Sequence, residues 1–129
     1  GAIRGLHMQL PPYAQAKLVY CVQGRILDVA VDVRKNSPTF GQSFAVELTE
    51  ENRWQLFVPK GFLHGYSVLS ETALVGYKCD DFYNKESECG IHPLDKTVNI
   101  DWRIPAEQQL ISEKDLNAIS FLELPEIIL

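Results

Sequence analysis

The sequence predicts an all-β domain of the jelly-roll type. Three observations carry that prediction: apolar residues that alternate with period two, strand-length runs rich in Val, Tyr, Phe and Trp, and turn signals between the runs. The alternation is clearest where Leu27, Val29, Val31 and Val33 share one parity and Asp28, Asp32 and Arg34 share the other, the pattern of a half-buried strand. In chain order, Ile3 to Gln9 reads as extended up to the Pro11-Pro12 break. Strand runs follow at Lys17 to Val22, Leu27 to Val33, Phe44 to Leu48, Trp54 to Val58, His64 to Leu69 and Ala73 to Lys78. Gln23-Gly24, Asn36-Ser37-Pro38, Glu50-Glu51-Asn52, Pro59-Lys60-Gly61 and Ser70-Glu71-Thr72 separate them at the spacing of an antiparallel sandwich or barrel. Beyond Asp80 the pattern loosens. Ser112-Glu113-Lys114-Asp115 has capping-box character, so a short irregular or helical C-terminal segment is expected there.

Composition narrows the function. A chain of 129 residues suits one domain with one core, expected over 1–129. Its net charge of -5 and twelve scattered basic residues argue against nucleic acid as a partner, because phosphate binding needs clustered cations. No apolar run approaches a bilayer span, the longest being broken by Asp28, and no signal-like segment opens the chain. A soluble cytoplasmic protein without membrane contact is expected. Cys21, Cys79 and Cys89 form no Cys-x-x-Cys pair and read as reduced thiols. The three histidines His7, His64 and His92 include no His-x-His pair, and Gln9 stands where a second imidazole would sit; no metal and no cofactor are expected.

Four places hold residues capable of chemistry. An extended Ile3–Gln9 segment puts His7 and Gln9 on one face, although a single histidine among apolar neighbours is more often structural. His64 follows the turn Pro59-Lys60-Gly61 at a loop-to-strand junction, a common place for ligand groups at a barrel mouth and also for a histidine that merely caps a strand. Tyr77 shares the parity of Ala73 and Val75, so its phenol either points into the barrel as a proton donor or packs as a core tyrosine. Asp115 is either a helix-start carboxylate or the partner that orients a histidine.

Read together, Arg4-Gly5-Leu6-His7-x-Gln9, Ala16-Lys17-Leu18-Val19, Asp28-Val29-Ala30-Val31-Asp32-x-Arg34, Ser37-Pro38-Thr39-Phe40-Gly41 and Gly61-Phe62-x-His64-Gly65 resemble the dTDP-4-dehydrorhamnose 3,5-epimerase family. The likeness continues through Leu69-Ser70-Glu71, Tyr77-Lys78, Asp81-Phe82-Tyr83, Ile100-Asp101-Trp102 and Ser112-x-Lys114-Asp115, in the family's order. The resemblance implies a cupin-like jelly-roll barrel, usually a homodimer, that inverts C3 and C5 of dTDP-4-keto-6-deoxyglucose without metal. It implies His7 as general base, Asp115 as the carboxylate paired with it, Tyr77 as the acid on the opposite face, and Lys17 beside the keto oxygen. It further implies substrate contacts by Arg4, Gln9, His64, Glu88 and Lys114, and stacking on thymine by Tyr83 with Phe82 beside it.

The chemistry suits these residue types. A hydrogen beside a ketone is removed to give an enolate, so a base and a stabiliser of the oxyanion are both required. The pattern departs from the family at Met8, at Ala16 and at Phe82, and the family's segment before the Arg4-Gly5-Leu6-His7 motif is expected to be missing. Alternatives are an epimerase acting only at C3 or only at C5, a truncated non-catalytic nucleotide-sugar-binding relative, and a metal-dependent cupin oxygenase.

Overall fold

A computed structural model describes all residues from Gly1 to Leu129. The chain is all-β, as predicted, and forms two sheets. Strands β1 (Ala2–Gln9), β2 (Lys17–Gln23), β3 (Arg25–Asp32), β4 (Ser43–Thr49), β5 (Gln55–Val58), β6 (Phe62–Val68) and β7 (Leu74–Cys79) follow the predicted runs closely. Two short strands, β8 (Glu88–Gly90) and β9 (Leu110–Ile111), lie in the region where the periodicity fades. The larger sheet has the order β4-β3-β6-β1-β8, with β9 beside β1, and the smaller has the order β5-β2-β7. Helix is limited to one turn, α1 (Glu113–Leu116), and three 3-10 turns.

β3 is not half-buried as its alternation predicts; both of its faces are covered. Leu27, Val29 and Val31 join Ile3, Leu6, Leu63, Val98, Trp102, Phe121 and Ile127 in a core on the outer side of the larger sheet, built with the C-terminal third of the chain. Ile26 and Ala30 meet Val19, Cys21, Leu48 and Val58 in a second core between the sheets. Asp28 has the parity of Ile26 and Ala30, so the carboxylate read as solvent-facing is fully buried inside the barrel. A period-two pattern reports which side chains share a face but not what covers it.

The C-terminal segment is tied down by specific polar bonds. Trp102 donates its indole N–H to the Pro93 carbonyl at 2.8 Å, and the Ser67 hydroxyl donates to the Trp102 carbonyl at 2.7 Å. Ile127 is buried, and its carbonyl accepts from the Lys35 N–H at 2.9 Å, so the apolar tail packs on the barrel. Ser112 caps α1 by accepting the Asp115 N–H, as its position predicted. The reciprocal capping box is instead at Ser120 and Glu123.

Two further residues test this packing. Asp32, at the end of β3, is buried; burial would raise its carboxyl, but bonds from Arg34, Ser37, Thr39 and the Arg34 backbone outweigh that and hold it far below the usual carboxylate range. Arg34 supplies two of these at 3.0 and 2.9 Å. A depressed folded-state pKa contributes stability above the unfolded value near 4, lost as pH falls below it. Asp32→Asn is therefore expected to cost about 2–4 kcal/mol at pH 7 and distinctly less at pH 3, measured by urea unfolding at both.

Gly65 matters for another reason. A Cβ there would come within 2.6 Å of the Arg4 carbonyl, and one on Gly5, whose φ is +120°, within 2.7 Å of the Gly65 Cα. The two glycines let β1 and β6 approach where their register shifts between Arg4 and His7. Gly65→Ala should destabilise by about 1–3 kcal/mol through overpacking, seen as a lower urea midpoint at unchanged slope.

Candidate active site

The interior faces of the two sheets run from apolar to polar along the barrel. On β2 the inward residues are Cys21, Val19 and then Lys17, and on β7 their register partners are Val75, Tyr77 and Cys79. From the facing sheet β1 contributes His7, whose register partners are His64 on β6 and Gly90 on β8. A cavity of about 250 Å³ lies between these walls, lined by His7, Gln9, Gln15, Lys17, Tyr77 and Cys79 among others. His7, Tyr83 and Glu88 also border a second cavity of about 440 Å³, together with Lys85, Lys114, Asp115 and Asn117.

His7 is the hinge of this arrangement. Its Nε2 lies 2.6 Å from Asp115 Oδ1, and the other Asp115 oxygen accepts the Gly5 N–H at 3.2 Å. Asp115 is almost wholly buried while the His7 ring is one-third exposed, so a fixed carboxylate orients an accessible imidazole. With Nε2 committed as the proton-bearing nitrogen, Nδ1 remains to accept a proton. Asp115 thus reaches across to β1 instead of closing a capping box on Ser112.

Lys17 and Tyr77 stand on the opposite wall, the ammonium 5.8 Å from the centre of the phenol ring. Burial pushes the Lys17 ammonium below its usual value, opposed by Cys79, Asp28 and Glu88. The Tyr77 side chain lines the cavity.

At the junction of the two cavities Tyr83 donates to Glu88 Oε2 at 2.6 Å, and Lys114 pairs with the other Glu88 oxygen. The bond to Glu88 raises the Tyr83 phenol. The bonds from Lys114 and Tyr83 lower Glu88. An aromatic ring, a cation and an anion are therefore presented side by side, suited to a base, a phosphate and a hydroxyl.

Of the other predicted contacts, Gln9 lines the first cavity but is engaged by its own hydrogen bonds, and Phe82, Arg4 and His64 lie outside both cavities. Gln9 faces the cavity with His7, but its amide donates to the Tyr13 carbonyl at 2.7 Å and accepts the Asn84 N–H at 2.9 Å. It anchors the turn that carries Tyr83 rather than offering a free amide. Phe82 is 88% exposed and borders neither cavity. Arg4 lies in a separate hollow with Tyr66, Val68 and Glu71. His64 is buried against Asp28, Nε2 to Oδ1 at 2.6 Å, and lines neither cavity. Asp28, the partner of His64, is not singled out by the sequence pattern as a site residue. Its signal was a lone acid inside the apolar run Ile26 to Val31. No three His, Cys, Asp or Glu side chains converge as a metal site would require, and no helix is long and apolar enough to cross a membrane.

Comparison with known proteins identifies the relatives of this arrangement. Residues 1–123 match the profile of the dTDP-4-dehydrorhamnose 3,5-epimerases. A Shigella flexneri protein of that name is 52% identical over 123 residues, which are 95% of this chain and 67% of the relative. The crystal structure of the Elizabethkingia anophelis enzyme superposes with a TM-score of 0.94 at 54% identity, covering 95% of this chain and 67% of that one. A Legionella pneumophila 3,5-epimerase in complex with dTDP-4-keto-L-rhamnose superposes with a TM-score of 0.91 at 47% identity, covering 97% and 65%. The chain thus spans about two thirds of the length of these relatives.

Proposed function

This chain belongs to the dTDP-4-dehydrorhamnose 3,5-epimerase family, and from that premise we propose that it epimerises a dTDP-linked 4-keto-6-deoxy sugar at C3 and C5. The observation that carries the proposal is the His7–Asp115 pair at 2.6 Å, opening onto a cavity whose facing wall holds Lys17 and Tyr77. A sugar ring between the two sheets presents one face to His7 and the other to Tyr77.

The steps follow from that placement. His7 removes the hydrogen on the carbon beside the ketone, and the electron pair of the C–H bond moves onto the keto oxygen to give an enolate. Asp115 stabilises the imidazolium so formed, and the Lys17 ammonium stabilises the oxyanion. Tyr77 delivers its proton to the same carbon from the other face, so the centre is inverted. His7 then loses its proton to solvent and Tyr77 regains one, which restores both groups for the second carbon. Tyr83 stacks on the thymine, while Lys114 and Lys85 bind the diphosphate. No metal or cofactor enters this scheme.

The deciding experiment is incubation with dTDP-4-keto-6-deoxyglucose in deuterated water followed by proton NMR. Deuterium at both C3 and C5, with the L-rhamno product, is the expected result. Exchange at C3 alone would make the chain a 3-epimerase, and no exchange beside an active relative would overturn the reading. A homodimer is part of the same proposal, supported by the exposed apolar side chains Val22, Trp54 and Phe57 on the smaller sheet and the loop beside it. Light scattering should give twice the 14.6 kDa chain mass.

A further inference from the structure

Asp28 is buried, its Oδ1 lies 2.6 Å from His64 Nε2, and its Oδ2 has no hydrogen-bond partner within the protein. An orphaned oxygen on a buried carboxylate is costly, because the water it gave up has not been replaced. His64 holds Oδ1, so it fixes how the second oxygen is presented within the barrel. On the inward face of β2 is a cation in the complementary state: Lys17 is largely desolvated, takes part in no ion pair, and feels the field of Asp28.

We infer that Asp28 is a positioning residue for the reaction: when a sugar fills the cavity, the unpartnered Oδ2 is the countercharge that keeps the Lys17 ammonium charged and aimed beside the keto oxygen of the substrate. The inference rests on the epimerase reading of the cavity and adds a role to a residue outside its wall. The charge on Lys17 is then secured from beneath when a sugar displaces the water that would otherwise solvate it. Groups facing Lys17 are Asp28 on β3, Cys79 and Tyr77 on β7, Glu88 on β8 and His7 on β1, with Tyr83 at the cavity rim. Of the three acidic groups near the ammonium, Cys79 is an exposed thiol and Glu88 is already bonded to Lys114 and Tyr83; Asp28 alone is a carboxylate with an oxygen to spare.

Two measurements test this. In Asp28→Asn the basic limb of the kcat/KM against pH profile should move to lower pH by about one unit or more, because the ammonium loses its anion. The doubly substituted Asp28→Asn, Lys17→Ala protein should be no slower than Lys17→Ala alone. An unmoved limb, or losses that multiply, would overturn the inference. A purely structural Asp28 would lower activity without shifting the limb.

Where Asp28→Asn does not fold, thermal melting of Lys17→Met decides. If the field of Lys17 compensates the Asp28 charge, removing the ammonium leaves the carboxylate without a countercharge, so the variant melts below the unsubstituted protein at pH 8 and the gap narrows toward pH 4. A variant that melts at or above the unsubstituted protein at pH 8 would overturn the inference. This arm needs no substrate. A chain that shows no exchange would count against the epimerase reading alone and leave the charge compensation to be judged by melting.

Discussion

Replacing His7 with asparagine is expected to lower turnover of dTDP-4-keto-6-deoxyglucose by about a hundred- to ten-thousandfold, the range for a positioned acid-base group. The size follows from the geometry. His7 is the imidazole at the cavity whose second nitrogen is oriented by a buried carboxylate, and asparagine has no group that accepts a proton near neutral pH. The variant should still fold, because Asp115 keeps the Gly5 N–H as a donor and the His7 side chain is one-third exposed. Steady-state kinetics beside a melting curve separates the two effects. Near-full turnover in a folded variant would remove His7 from the mechanism.

Tyr77→Phe is expected to fail differently. Losing the phenolic hydroxyl removes the proposed acid on the far wall but leaves His7, Asp115 and Lys17 in place, so enolate formation should continue while delivery of a proton to the opposite face should not. Inverted product should fall by about a hundredfold or more. Deuterium from solvent should still enter the substrate, returned by His7 to the face it came from. The ratio of wash-in to inversion, read in one NMR time course, is the diagnostic quantity. If inversion persists at the rate of exchange, another group protonates that face and Tyr77 is a lining residue.

The two variants bracket the barrel because their side chains come from different sheets. β1 belongs to the five-stranded path with β6 and β8, and β7 to the smaller sheet with β2. An inverting reaction needs base and acid on opposite sides of the reacting carbon, and two facing sheets provide that separation without a moving part.

Much of this was legible in the chain itself. Period-two alternation and turn residues located seven strands to within a few residues, because side-chain parity and backbone turn chemistry are local properties. The likeness of the motifs around His7, Lys17, Tyr77 and Asp115 to one family pointed to the residues the fold gathers at the cavity. β8 and β9 were not legible, since strands of three and two residues leave too short a pattern and are held by pairing with β1.

What the sequence determined by itself was the class of fold, the strand order along the chain and the residue types available for proton transfer. Only the tertiary structure decided which face of each strand is covered. The C-terminal third packs over Leu27, Val29 and Val31, while the smaller sheet covers the other face of β3 and turns Asp28 from an apparent surface acid into a buried one beside His64. It likewise sets Gln9 to holding the Tyr83 turn and leaves Phe82 outside the cavities. The physical reason is the same throughout: alternation assigns side chains to faces, whereas burial and hydrogen-bond partners depend on residues far away in sequence that pack against those faces.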